Sequence, residues 1–212
     1  ICVSNQDHNQ STVPGYEQYN EAGGMAWLVE RDLLPTQVPE VELHYVRPDV
    51  ESADVPKGSL AGLQKQCREA KVWLDSKPVD AQKLALFLHT DSGKDFPHTW
   101  GCYGKNGERE LESALATEII GNKIASVFGR SCALHSEYNG YYFWTLLDLY
   151  PSCLIEICSH ETASDMKTLW AHTYLIAQVI ILGLRALISV DWKSRAEIAE
   201  TKLEVIRKAG GW

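Results

Sequence analysis

The sequence predicts an α/β domain: a mixed, mostly parallel central sheet of about six strands, flanked by helices. Three observations lead there. The uninterrupted apolar run Leu84-Ala85-Leu86-Phe87-Leu88 enters a turn-forming His89-Thr90-Asp91-Ser92-Gly93, as a strand buried on both faces does. A second apolar run, from Tyr150 to His160, has the same character. Longer segments with helical spacing lie between the strand-like ones, and that alternation implies largely parallel pairing. Ligands of such sheets gather at the carboxyl ends of the strands. His89 stands at one of those ends.

The chain has 212 residues, 45% of them hydrophobic, which suits one domain with a sizeable core. We divide it into a domain over residues 1–190 and a C-terminal amphipathic helix over 191–212. That helix either packs on the domain or leads to a further module. A net charge of -8 argues against nucleic acid as a partner. The six cysteines show no CxxC spacing, so neither a thiol zinc knuckle nor a redox motif is predicted, and they read as mostly buried and reduced. No signal-peptide pattern opens the chain. The longest apolar region, 174–190, is interrupted by Gln178 and Arg185. It reads as a core-facing helix and not as a membrane span.

In chain order, residues 1–4 form a short strand, and a polar loop carrying His8 follows. Residues 21–34 have helical spacing, with Met25, Leu28, Val29 and Leu33 on one side, and Pro35 stops the helix. Glu21 sits in its first turn, where the helix dipole favours a carboxylate. Residues 41–47 alternate and predict a second strand ended by Pro48. Residues 58–74 predict a helix, and the His89 strand comes third. The stretch 94–104 interleaves aromatics with glycines and reads as a loop, which either lines a groove with Trp100 and Tyr103 or covers the sheet edge. Residues 107–128 predict a long helix. Residues 132–136 and 141–147 predict two short strands.

The strand over 150–160 carries Glu156, and alternation puts Leu154, Glu156 and Cys158 on one face. A carboxylate there is costly unless it is paired or linked to a metal. Arg130 is the candidate partner for an ion pair. A further helix begins at 161–165, and a long apolar one covers 169–188.

His8, Glu21 and His89 together supply two imidazoles and a carboxylate. That donor set suits a catalytic zinc, which keeps one position for water. Glu17 competes with Glu21 for the carboxylate role. Glu156 has the chemistry of a general base and acid, taking a proton from an activated water and passing it to a leaving nitrogen. There is no local HExxH motif. His160 is the group expected either to support the ligands from behind or to replace one of them.

The segments Ser4-Asn5-Gln6-Asp7-His8-Asn9, Glu21 ahead of a helix, Leu88-His89-Thr90-Asp91-Ser92-Gly93 and Leu154-Ile155-Glu156-Ile157 follow one another in an order that resembles the zinc-dependent N-acetylmuramoyl-L-alanine amidases of the amidase_3 type. The resemblance spans roughly residues 1–188. It implies hydrolysis of the amide between the muramoyl lactyl group and L-alanine in peptidoglycan, with Zn2+ held by His8, Glu21 and His89 and with Glu156 catalytic. It also implies an enzyme acting on the cell wall, as a phage endolysin released from the host cytoplasm or as a trimmed secreted enzyme. Two features depart from the family pattern. The usual His-Gly-Gly is here His8-Asn9-Gln10, and Gly23-Gly24 stand where helix formers are expected. A zinc peptidase or carboxypeptidase, and a non-catalytic wall-binding module, are the competing readings.

Overall fold

The computed structural model describes residues 1–4, 6, 9–36, 38–47, 60–94, 96–104, 109–137 and 149–189. The chain runs through β1 (Cys2–Val3), α1 (Glu21–Leu28), a π-helical turn (Val29–Leu33), α2 (Leu60–Asp75), β2 (Ala85–Asp91), β3 (Thr99–Gly104), α3 (Glu110–Val127), β4 (Cys132–Glu137), β5 (Ser152–Ser159) and α4 (Ala163–Ile188). The strands form one five-stranded sheet in the order β1-β2-β5-β3-β4. β1, β2 and β5 run parallel, β3 is antiparallel to β5, and β4 is parallel to β3. The sheet is therefore mixed, as predicted.

Two predicted segments change character. Residues 41–47 do not form a strand: Val46 alone makes a parallel bridge, to Cys2. The alternation is present, but the edge strand β1 is only two residues long and offers no ladder to extend. The stretch 94–104, expected as a loop, contains the strand β3, next to the sheet centre. Its glycine marks close packing. A Cβ added at Gly101 would stand 2.4 Å from Thr117 Cγ2 on α3 and 3.1 Å from Cys132 Sγ. Tyr103 and Phe96 are buried, so neither lines a groove. The predicted strand over 141–147 and the C-terminal helix over 191–212 lie outside the described residues.

The two faces of the sheet bury separate clusters. Leu86, Leu88, Cys153 and Ile155 point to one side, with Met25 and Leu28 of α1, Ile120 and Ile124 of α3 and Ile176 and Ile180 of α4. Cys2, Phe87, Leu154 and Cys102 point to the other, with Cys67, Ala70 and Leu74 of α2. These last four sheet residues are register partners across four strands and form one apolar row. Alternation in β5 holds only as far as Glu156. The register passes from His89↔Glu156 to Asp91↔Ser159, two steps along β2 against three along β5. This bulge sends Cys158 to the Cys153 side, away from the face of Leu154 and Glu156 that strict alternation predicts.

The helix expected over 169–188 is continuous with the one expected at 161–165, as α4, kinked at His172 (φ -129, ψ 24). By length and composition an 18-residue window of it, with a mean hydropathy of 1.6, would suffice to cross a membrane, a test that a core helix also passes. One stripe of it, through Leu169, Ile176, Ile180 and Leu187, lies in the core, while Trp170, Tyr174 and Leu182 are exposed. All six cysteines are free, and five of them are buried.

Arg130 does not pair with Glu156. Its guanidinium donates to both Asp165 oxygens (3.1 and 2.9 Å), to Phe96 O (2.9 Å) and to Ile157 O (3.1 Å). Asp165 also accepts from Ser159 N at 2.9 Å. This nearly buried pair ties the end of β5 to α4 and to the segment entering β3. Asp165→Ala leaves a buried guanidinium without its counter-charge and should cost about 3–5 kcal/mol in denaturant unfolding. A loss below about 1 kcal/mol would show the pair to be dispensable.

Candidate active site

One register step beyond the apolar row, the same face turns polar. His89 of β2 partners Glu156 of β5, and Glu156 partners Trp100 of β3. Partners in register share a face, so these three side chains stand in a row near the carboxyl ends of β2 and β5. The bulge in β5 follows directly.

Glu21 reaches this row from the first turn of α1. Asn20 caps the helix, its Oδ1 accepting from Gly23 N at 2.7 Å. Glu21 is 1% exposed and His89 is 6% exposed. His89 Nδ1 lies 2.9 Å from Glu21 Oε1. Asn9 Nδ2 donates to Glu21 Oε2 at 2.8 Å, and Asn9 O accepts from Glu21 N at 3.0 Å. Asn9 Nδ2 also donates to Gln6 Oε1, at 2.5 Å. Asn9, the first of the two residues that depart from the family's His-Gly-Gly, is thus the one that holds the second carboxylate oxygen. That departure was the only signal of its role in the sequence.

Burial pushes the Glu21 carboxyl up, but the hydrogen bond and charge of His89, with hydrogen bonds from Asn9 and Ser4, outweigh it and leave Glu21 below its usual range. Burial pulls the His89 imidazole down, and its hydrogen bond and attraction to Glu21, with the charge of Glu156, turn the balance upward. Burial lifts Glu156 to about 7; the charge of His89 opposes this, and those of Glu21 and Asp91 add to it. Nothing among the described residues donates to Glu156 Oε2 or pairs with His89 Nε2, and both atoms are buried. Tyr45 OH and Gln66 Oε1 also lack partners, but His89 and Glu156 are register partners, and two orphans on paired residues point to a group that binds there.

The donor chemistry fits a metal. Glu21, His89 and Glu156 each offer a ligand atom, and these atoms lie within 4.8 Å of one another. An imidazole with carboxylates is a donor set of zinc and similar divalent ions. Of the four residues read from the sequence, the structure gathers Glu21, His89 and Glu156. His8 lies outside the described residues. Glu17 is elsewhere: its carboxylate accepts from Gly15 N at 3.0 Å in an exposed turn.

His160 is buried behind the site, and its Nδ1 lies 3.1 Å from Thr90 Oγ1. Thr90 Oγ1 lies 3.0 Å from the Tyr19 hydroxyl. His160 therefore belongs to a supporting network and not to the ligand group. The Tyr19 ring fits beneath α1 because residue 24 is glycine. A Cβ there would stand 2.0 Å from Tyr19 Cε2. The Gly23-Gly24 pair is thus explained by the cap on one side and the ring on the other.

No protein-family model matches the sequence, and no curated protein matches it. Solved structures do. The catalytic domain of CwlV, an N-acetylmuramoyl-L-alanine amidase from Bacillus (Paenibacillus) polymyxa var. colistinus, is 14% identical, with 90% of this chain and 97% of that one covered and a TM-score of 0.59. An N-acetylmuramoyl-L-alanine amidase from Clostridium difficile 630 is 13% identical, with 90% and 96% covered and a TM-score of 0.60. The catalytic domain of the CD27L endolysin, which targets Clostridia difficile, is 16% identical, with 88% and 96% covered and a TM-score of 0.56. This chain has the fold of those catalytic domains. The likeness spans nearly the whole of each, which agrees with the extent of the resemblance read from the motifs.

Gly24→Ala should force the Tyr19 ring away from Thr90 and cost about 1–3 kcal/mol, the usual range for overpacking. Thermal unfolding should show a drop of several degrees for a chain of this size. An unchanged melting temperature would mean that the ring relocates without cost.

Proposed function

We propose that this chain is a zinc-dependent N-acetylmuramoyl-L-alanine amidase acting on cell-wall peptidoglycan. The observation that carries the reading is the Glu21–His89–Glu156 group, with two orphaned buried atoms, near the strand ends of a sheet that amidase catalytic domains share. Glu21 and His89 would hold the ion, with His8 as the further ligand that the sequence resemblance supplies. Zinc, when bound, acts as a Lewis acid that polarises the scissile carbonyl and makes water more acidic.

The chain's own residues do the rest. Asn9 holds Glu21 Oε2, while Oε1 stands 2.9 Å from His89 Nδ1, so the carboxylate is set against the imidazole. Glu156 stands on the neighbouring strand with Oε2 unpaired. That oxygen takes a proton from the attacking water and returns it to the leaving nitrogen of L-alanine as the C–N bond breaks. The lactyl carboxylate and a free amine are the products.

The metal assignment is checked by titrating the protein with Zn2+. Glu21→Gln should abolish tight binding, Asn9→Ala should weaken it about 10–100-fold, and Glu17→Gln should leave it unchanged. Equal affinity in the Glu21 and Glu17 variants would place the site elsewhere.

The catalytic assignment is checked by Glu156→Gln, which keeps the size of the side chain but cannot accept the proton. It should retain zinc and the fold while clearing of purified walls falls about 10²–10⁴-fold. Loss of zinc in this variant would make Glu156 a ligand instead. Mass analysis of the released fragments separates the amidase from a peptidase: free peptide stems beginning with L-alanine identify the amidase.

A further inference from the structure

The polar row does not end at Glu156. Its next member, Trp100, is the direct register partner of Glu156 on β3, so the two side chains stand on one face with backbones about 5 Å apart. Exposure rises along this line. Glu21 and His89 are buried, Glu156 and Trp100 are half-buried, and His135 of β4 is exposed. The site therefore opens toward β3 and β4, across the indole.

Around that indole the chain has assembled rings. The His135 imidazole lies 4.3 Å from the Trp100 ring, tilted by 53°. His98 meets it edge-on at 6.0 Å, and the buried Phe96 does so at 6.2 Å. His98 is fixed in turn by Ser131, Nδ1 to Oγ at 2.9 Å. None of these rings carries a carboxylate or an ammonium group. The nearby Arg130 guanidinium is committed to Asp165, Phe96 O and Ile157 O.

We propose that Trp100 and His135 form a stacking subsite for the N-acetylated sugar ring of the substrate, on the open side of Glu156. The proposal rests on the amidase reading for the position of the scissile bond. A pyranose offers a C–H face that packs on an aromatic ring, with hydroxyl and acetamido groups at its rim for imidazole N–H donors. The other half of the substrate, a peptide stem with ionised carboxylates, calls for cations, and the guanidinium described beside this platform is already paired with Asp165. The indole thus places the sugar on the β3 side of Glu156 and leaves the peptide to the other side.

Two substrates test this: a soluble N-acetylmuramoyl peptide, and the matching N-lactoyl peptide that lacks the sugar. Trp100→Ala should reduce the ratio of kcat/KM for the first over the second roughly tenfold. Trp100→Tyr should restore most of it. His135→Ala, at an exposed position that does not threaten folding, should shift the ratio in the same direction by a smaller factor. Calorimetry with the N-acetylglucosaminyl-N-acetylmuramic acid disaccharide gives a readout independent of turnover. The wild type should bind it, and Trp100→Ala should lose that binding. Equal losses on both substrates, or disaccharide binding that survives Trp100→Ala, would overturn the subsite. A wild type that cleaves neither substrate yet binds the disaccharide through Trp100 would remove the amidase reading and support the subsite.

Discussion

Glu21 brings a carboxylate to a position with almost no solvent, and the surrounding structure exists in large part to make that tolerable. An ion taken out of water without compensation costs several kcal/mol. Here the compensation is distributed. His89 faces one oxygen and Asn9 donates to the other. The amino end of α1 adds its dipole. Each contribution depends on a different element being in place: β2 for His89, the segment after β1 for Asn9, and the capped helix start for Glu21 itself. The pair is thus a point where three parts of the chain must agree. Tyr19 reinforces that agreement from below, spanning from the underside of α1 at Gly24 to Thr90 beside His89.

The sheet supplies the second constraint, which is depth. The apolar row Cys2–Phe87–Leu154–Cys102 fills the space between the sheet and α2. One step further along the same strands, the side chains become His89, Glu156 and Trp100. Because alternation fixes which face each residue takes, a polar group could join this row only at a position two residues beyond an apolar one. The bulge in β5 ends the pattern just after Glu156. The site is confined to a single row, with packed core beneath it and irregular backbone above.

Much of this was legible in the sequence, and the failures have physical causes. β2 and β5 announced themselves because central strands buried on both faces read as unbroken apolar runs. The helix starting at Glu21 was visible from Met25, Leu28, Val29 and Leu33, all of which are buried. His89, Glu21 and Glu156 could be chosen because they stand at a strand end, at a helix start and inside an apolar strand, in an order that resembles the amidases. β3 was missed because Gly101 and Gly104 look like turn residues, whereas Gly101 lets α3 approach the sheet. Residues 41–47 were overread for the opposite reason: alternation was present, but a strand also needs a neighbour long enough to pair with. Asn9 could not be found from composition or period, since its role is a hydrogen bond to a residue placed beside it only by the fold.

The two orphaned atoms show where local consistency gives way. Four buried side-chain atoms among the described residues lack a partner: Tyr45 OH, Gln66 Oε1, His89 Nε2 and Glu156 Oε2. Only the last two belong to residues that are direct register partners on adjacent strands. Unpaired buried groups lower stability, and they persist where binding recovers the loss. Ligand binding at such atoms is then coupled to folding, because only the folded sheet brings them together. The dense anchoring around them, through Arg130–Asp165 at the end of β5 and Tyr19–Thr90–His160 behind β2, serves the same end. It holds the row rigid while its most costly members stay unsatisfied.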